Sequence, residues 1–205
     1  MTKKLYKLMN WPQIEEIIYA ESDNPHELLG PHKHGTQVLV QAFFPGAKYV
    51  TLSWKGAGKG ASLEGFWEKD YAMEMADEDG YFAALVPAKT LPEYTYLVEY
   101  EDGTEKEFGD PYQFDPVLTG EDIEQFQNGI HYTIYEKLGA HPMEINGKKG
   151  VLFAVWAPSA MRISVVGDFN AWDGRMYQMR RLWGSGIFEL FIPSVCIISD
   201  SGNVV

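Results

Sequence analysis

The sequence predicts an all-β protein made of two tandem β-sandwich domains, with short helices between the strands. Three observations predict this fold class. Apolar and polar residues alternate in short runs, as they do in half-buried strands. Turn signals containing Gly or Pro separate those runs. The succession of runs and turns occurs twice, which indicates two copies of one structural unit.

The repeat rests on three segments that return in the same order. "LGPH" at 29–32 returns as "LGAH" at 138–141, "FPGAKYVTL" at 44–52 as "APSAMRISV" at 157–165, and "DGYFAALVP" at 79–87 as "SGIFELFIP" at 185–193. The spacing between matches changes slightly, as expected where surface loops gain or lose residues. The two halves of the chain are therefore expected to share one fold.

Each copy predicts the same strands in the same order. A first alternating run covers 38–44 or 151–157, and a second strand follows the proline turn, at 49–54 or 162–166. A third strand follows the next glycine turn in each copy. Only the first copy continues into an alternating hairpin that turns at Asp102-Gly103. The second sandwich is therefore predicted to be incomplete, because it lacks its terminal hairpin.

Helical signals lie outside these strands. Residues 11–21 place Ile14, Ile17 and Ile18 on one face, "NPHELLG" predicts a capped helical turn, and 130–138 predicts a helix that ends at Gly139. The expected organisation is an N-terminal helical segment (1–21), a first β-sandwich (22–116), a linker with a short helix (117–141) and a second β-sandwich (142–205).

Composition excludes several classes of protein. The net charge of −12 disfavours a nucleic-acid partner, because such binding depends on clustered Lys and Arg. No apolar run is long enough for a membrane span, and polar residues interrupt the N-terminus where a signal peptide would need an apolar region. With Cys196 as its one cysteine, the chain has no disulfide framework. A cytoplasmic location is expected.

The stretch "VVGDFNAWDG" at 165–174 is the candidate binding site. Asp, Asn and Gly are turn residues, whereas Phe169 and Trp172 are large and apolar for a solvated loop. One ring is expected to anchor the loop. The other, if exposed, would offer a flat platform for the apolar face of a sugar, with Asn170 available for hydroxyl groups. The sequence leaves open the alternative that both rings are buried.

Catalytic and metal sites are not indicated. Asp168 and Asp173 show neither the separation nor the raised pKa that glycoside hydrolysis requires. The histidines His26, His32 and His34 match no strong metal-ligand spacing. The chain carries none of the common nucleotide, hydrolase or metalloprotease motifs. No catalytic residue, metal ligand or cofactor is predicted.

Several segments resemble the N-terminal region of bacterial 1,4-α-glucan (glycogen) branching enzymes. They are "HELLGPH", "GDPYQF", "YEKLGAHP", "GVLFAVWAPSAMRISVVGDFNAWDGR", "MRRL" and "SGIFELFIP". The resemblance implies two tandem immunoglobulin-like sandwiches, of which the second is a family 48 carbohydrate-binding module, followed by a catalytic barrel. It also implies a glycosyltransferase of glycogen biosynthesis, which cleaves an α-1,4 linkage and forms an α-1,6 branch.

By this resemblance, the family's catalytic residues belong to the barrel, so this chain is expected to be inactive alone. It is expected to serve as the accessory region that binds an α-glucan, either glycogen or a maltooligosaccharide. Modules of this type stack a glucose ring on the tryptophan that corresponds to Trp172. A second binding Trp and a Lys of such modules belong to the terminal hairpin.

Two other interpretations stay open: a stand-alone glucan-binding or interaction protein without catalysis, and a fragment of a debranching hydrolase. The missing hairpin predicts an exposed sheet edge, so that residues 150–205 are expected to be either poorly ordered or completed by the contacts of a homodimer. From Cys196 onward the chain follows neither its first copy nor the branching-enzyme pattern, which leaves open a native end, a truncation and a frameshift. Residues 196–198 would then form a substitute strand.

Overall fold

The computed structural model describes residues 1–57, 66–88 and 94–194. The chain forms two compact units, one of Met1–Tyr19 with Leu28–Asp110, the other of Ala20–Glu27 with the residues from Pro111 onward. Within the described ranges, no helix has both the length and the apolar character to cross a membrane. The substitute strand predicted at 196–198 lies outside these ranges.

Two short helices begin the first unit, α1 (Lys3–Tyr6) and α2 (Trp11–Ile18). Pro12 lies in the first turn of α2, where its missing N–H costs no hydrogen bond. The isoleucines at 14, 17 and 18 are all buried, which confirms the predicted apolar face.

In the part of the first unit that the structure describes, eight strands form two antiparallel sheets. They are β1 (Gly30–His34), β2 (Gln37–Phe43), β3 (Ala47–Ala57), β4 (Phe66–Ala72), β5 (Glu74–Asp77), β6 (Tyr81–Val86), β7 (Tyr94–Tyr100) and β8 (Glu105–Phe108). The sheet orders are β1-β2-β6-β5 and β4-β3-β7-β8. Phe44, which follows β2, has its ring centroid 5.3 Å from those of Tyr96 and Phe108 in the other sheet. The predicted all-β sandwich is confirmed.

The described residues of the second unit form one α-helix and four strands, α3 (Gly120–Gln127), β9 (Gly139–Ile145), β10 (Lys148–Trp156), β11 (Arg180–Leu182) and β12 (Ile187–Pro193). Its sheet has the order β11-β12-β10-β9, which copies β5-β6-β2-β1. Equivalent hydrogen bonds recur: Phe44 N donates to Gly80 O (2.9 Å), and Ala157 N to Gly186 O (2.8 Å). The internal repeat is therefore present in the structure.

The predicted strand at 162–166 was wrong as a regular strand. The segment forms one bridge, between Ser164 and Gln178. Val165 N donates to Tyr177 O (2.9 Å), and Met179 N to Ile163 O (2.8 Å). These bonds hold residues 163–165 antiparallel to 177–179, which are the two stems of the candidate binding loop.

The predicted helix at 130–138 was also wrong. Only Ile134–Glu136 is helical there, as one 3₁₀ turn. Ile, His, Tyr and Thr dominate the start of this segment, and all are weak helix formers. The helix lies earlier, at α3, where Thr119 and Asp122 form a capping box in which each side chain bonds the other residue's backbone N–H.

The β9–β12 sheet is covered by residues 114–138 on one face. That core consists of Phe114, Leu118, Ile123, Leu152, Ala154, Leu182, Ile187 and Phe191. Side chains alternate across a strand, so Phe153 and Val155 of β10 point to the opposite face. There they line a groove together with Ile163 and Val165. The stems of the binding loop therefore lie on this opposite face.

Candidate functional site

The candidate loop at 166–176 is anchored by Phe169. Its ring lies 5.7 Å, centroid to centroid, from that of Tyr177 in the outgoing stem. The same ring explains Gly167, because a Cβ at that position would lie 2.5 Å from Phe169 Cε1. One aromatic ring of the motif thus fixes the loop to the unit, as predicted.

Asn170 closes the loop from inside. It is 4% exposed. Its Oδ1 accepts from Gly167 N (2.9 Å), and its Nδ2 donates to Val165 O and Asp173 O (both 3.0 Å). Asn side chains in turns commonly bond nearby backbone groups in this way. The prediction that Asn170 is available for sugar hydroxyls does not fit this geometry, because the side chain is buried and fully engaged.

Trp172 points outward and is 65% exposed. Ala171 and Trp172 have φ angles of 52° and 59°, a left-handed conformation that costs non-glycine residues about 1–3 kcal/mol each. Trp172 N donates to Gly167 O (3.0 Å), and the indole Nε1 donates to Asp168 Oδ1 (2.9 Å). The strained backbone and the bonded indole hold the ring outside the core in one orientation.

Asp173 and Arg175 form an ion pair in the C-terminal part of the loop. The Arg175 side chain donates through Nε (3.0 Å) to Oδ1 and through Nη2 (2.7 Å) to Oδ2 of Asp173. These bonds from Arg175 lower the pKa of Asp173, against the opposing effect of partial burial. Asp173 therefore differs from a general acid of glycoside hydrolysis, which needs a raised pKa.

Two roles in this loop were not predicted from the sequence, that of Asp168 as the partner of the indole and that of Arg175 as the partner of Asp173. The available signals were an Asp four residues before the Trp and an Arg two residues after the second Asp. The corresponding stretch of the first copy is "LSWKGAGKG" at 52–60, of which residues 58–60 lie outside the described residues.

Two family models match the chain. One, for the N-terminal domain of alpha-1,4-glucan branching enzyme GlgB, matches residues 10–112. The other, for carbohydrate-binding module 48 (isoamylase N-terminal domain), matches residues 137–203 and contains the Trp172 loop. The chain belongs to the GlgB branching-enzyme family. It corresponds to the N-terminal region of that family.

Similar curated proteins agree with this assignment. The 1,4-alpha-glucan branching enzyme GlgB of Thermosynechococcus vestitus is 40% identical over 190 residues, that of Rubrobacter xylanophilus 39% over 183, and that of Rhizobium meliloti 39% over 187. These alignments cover 89% to 90% of this chain but only 23% to 24% of each relative. The chain thus spans less than a quarter of the relatives' length.

A solved pullulanase from Anoxybacillus sp. LM18-11 aligns with 78% of this chain and 21% of its own, at 15% identity and a TM-score of 0.21. That score is too low to support an argument. The family match and the relatives favour the branching-enzyme interpretation over the debranching one.

Proposed function

We propose that this chain is the α-glucan-binding accessory region of a 1,4-alpha-glucan branching enzyme, and that Trp172 is its sugar platform. The observation that carries the proposal is the exposed indole, held outward on a strained backbone. Strain of this kind persists where the surrounding structure enforces it, commonly at ligand sites. An exposed, immobilised ring loses little conformational entropy when a ligand stacks on it.

The chemistry of the loop suits a neutral sugar. The axial C–H groups of a glucose ring form an apolar face that can cover the indole. The exposed carboxylate of Asp168 lies beside the ring edge and can accept hydrogen bonds from hydroxyl groups. Asn170 has a different role in this proposal, because it holds the loop in shape and does not contact the sugar.

The relatives' printed name describes a branching enzyme, and we propose that this chain contributes glucan binding to that activity. It would hold α-1,4-linked chains, while the bond cleavage and transfer use residues other than those described here. The purified chain is therefore expected to bind glucan without changing its branching.

Electrophoresis in gels containing glycogen tests the platform. We expect the wild-type chain to be retarded and Trp172→Ala to lose at least tenfold in affinity, equivalent to about 1.4 kcal/mol. Tyr132→Ala is the control, since Tyr132 is another exposed aromatic residue of the second unit, at 84%. Equal retardation of wild type and Trp172→Ala, or none for the wild type, would contradict the proposal.

We further propose that two copies of the chain pair through the open face of the second unit. Among the described residues, 163–165 have a β-type partner on one side only. Beside them lies a largely apolar groove of about 680 Å³ whose lining includes Val155 and Trp156, 39% and 54% exposed. An open edge beside apolar surface invites pairing with another chain.

Light scattering tests this pairing. The expected mass is twice the 23.2 kDa of one chain. Val155→Lys should yield the monomer, because a charge would be buried at the interface. A wild-type monomer at high concentration would overturn the proposal.

A further inference from the structure

A second tryptophan of the same unit is also held outside the core. Trp183 follows β11 in the turn that leads to β12, and it is 59% exposed with a φ of 39°. Ser185 is buried beneath this turn. Its Oγ donates to Leu182 O (2.8 Å) and accepts from Ile187 N (2.9 Å). These two bonds join the residues before and after the turn, so the backbone that carries the indole is held in one conformation.

Trp183 lines a cavity of about 700 Å³ whose other walls are mainly polar. The lining includes Asp23, Asn24, Glu27, Arg180 and Arg181, all of the second unit. Two hydrogen bonds hold residues 23–27 of the lining in place. Asn24 Nδ2 donates to Glu27 Oε1 (2.7 Å), and Arg181 N donates to Asp23 O (2.7 Å). The polar side chains are therefore positioned before any ligand binds.

Among the polar atoms of the lining, Nε of Arg180 and Nε of Arg181 are buried without a hydrogen-bond partner among the described residues. Arg180 is 7% exposed, and its Nη1 and Nη2 already bond Phe114 O and Glu189 (both 2.9 Å). A buried donor left unpaired lowers the stability of the fold. Such a group is commonly satisfied by water or a ligand.

We propose that the Trp183 cavity is a second carbohydrate subsite, distinct from the Trp172 platform. Its walls combine carboxylates with guanidinium groups, which disfavours an anion and a cation alike. A neutral polyol suits them, because each hydroxyl donates to a carboxylate and accepts from a guanidinium or amide. Trp183 supplies the apolar platform for the ring face. The choice of an α-glucan as ligand rests on the function proposed above.

Two platforms in one unit would change how the chain binds a polymer. Glycogen offers many glucan chains, so engagement of one platform raises the effective concentration of sugar at the other. Each single substitution, Trp172→Ala or Trp183→Ala, should then reduce retardation in glycogen gels at least tenfold. The double variant should migrate with a protein that does not bind glucan.

Fluorine NMR of the full chain labelled with 5-fluorotryptophan separates the two sites. The six tryptophan signals are assigned by Trp→Phe substitution and titrated with maltotriose. We expect the Trp172 and Trp183 signals to shift with separate half-saturation concentrations, and the Trp11 signal of the first unit to stay constant. Glu27→Ala should raise the half-saturation concentration at Trp183 several-fold and leave that at Trp172 unchanged.

Each outcome decides between the two proposals. If the Trp172 signal shifts and the Trp183 signal does not, the second subsite is overturned and the proposed function stands. If only the Trp183 signal shifts, the second subsite stands and the role of Trp172 is overturned. If neither shifts at saturating maltotriose, both fail. Glu27→Ala keeps the test decisive even if Trp183→Ala fails to fold.

Discussion

Replacing Glu189 by alanine will lower the free energy of unfolding of the second unit by about 3–5 kcal/mol. Glu189 is 0% exposed in the middle of β12. Its carboxylate accepts from Val117 N (3.0 Å), Leu118 N (2.8 Å) and Arg180 Nη2 (2.9 Å). Alanine would leave two backbone donors without an acceptor and the buried guanidinium of Arg180 without its carboxylate. The loss is a large fraction of a domain's ordinary stability.

Urea unfolding followed by fluorine NMR measures this effect unit by unit. The Trp156 and Trp183 signals report the second unit, and the Trp11 signal reports the first. Glu144→Ala is the matched control, since Glu144 is an exposed glutamate on β9 of the same sheet and should change stability by less than about 0.5 kcal/mol. A cost below about 1 kcal/mol for Glu189→Ala would show that the ion pair is dispensable.

The pairing of Glu189 with Arg180 could not be predicted from the repeat. In the first copy, Ala83 occupies the position that corresponds to Glu189, so that copy gives no precedent for a charge. A single glutamate inside the apolar run "IFELFIP" was the only signal. The backbone donors at 117 and 118 precede Glu189 by 72 and 71 residues, and Arg180 precedes it by 9, so only the folded chain brings these groups together.

The fold itself was predictable because the repeat and the alternation agree. The strands at 38–44 and 151–157 appear as β2 and β10 with matching neighbours in their sheets. Even the "LGPH" and "LGAH" matches have a structural counterpart. His32 Nε2 bonds Leu29 O (3.0 Å), and His141 Nε2 bonds Leu138 O (2.9 Å). A repeated short motif thus marked a repeated local contact.

The site was only partly predictable. The loop and its two rings could be identified from residue types, but the exposure of Trp172 depends on left-handed backbone at Ala171 and Trp172. Neither residue signals a positive φ, as Gly or Asn would. The residue type of Asn170, in contrast, did carry a signal. Asn side chains in turns tend to bond the nearby backbone, which argues against a direct contact with sugar. The residue's identity was informative, and its role was misassigned.

Asn170→Ala is expected to destabilise the binding loop by about 3 kcal/mol, at roughly 1 kcal/mol for each hydrogen bond lost. Gly167 N, Val165 O and Asp173 O would all lose their partner. The strain at Ala171 and Trp172 costs about as much, so the loop should relax to an ordinary backbone. Glycogen affinity should fall as far as in Trp172→Ala, although Asn170 is buried away from the sugar.

A double-variant cycle distinguishes positioning of Trp172 from a general loss of structure. If Asn170 acts through the indole, Asn170→Ala should reduce glycogen affinity at least tenfold in the wild-type background and have no further effect in Trp172→Ala. The loss of stability should be the same in both backgrounds, because the three hydrogen bonds do not involve the Trp172 side chain. Additive losses of affinity would mean that Asn170 supports glucan binding by a route other than Trp172. Unchanged affinity in Asn170→Ala would show that Trp172 keeps its binding orientation without the three hydrogen bonds of Asn170.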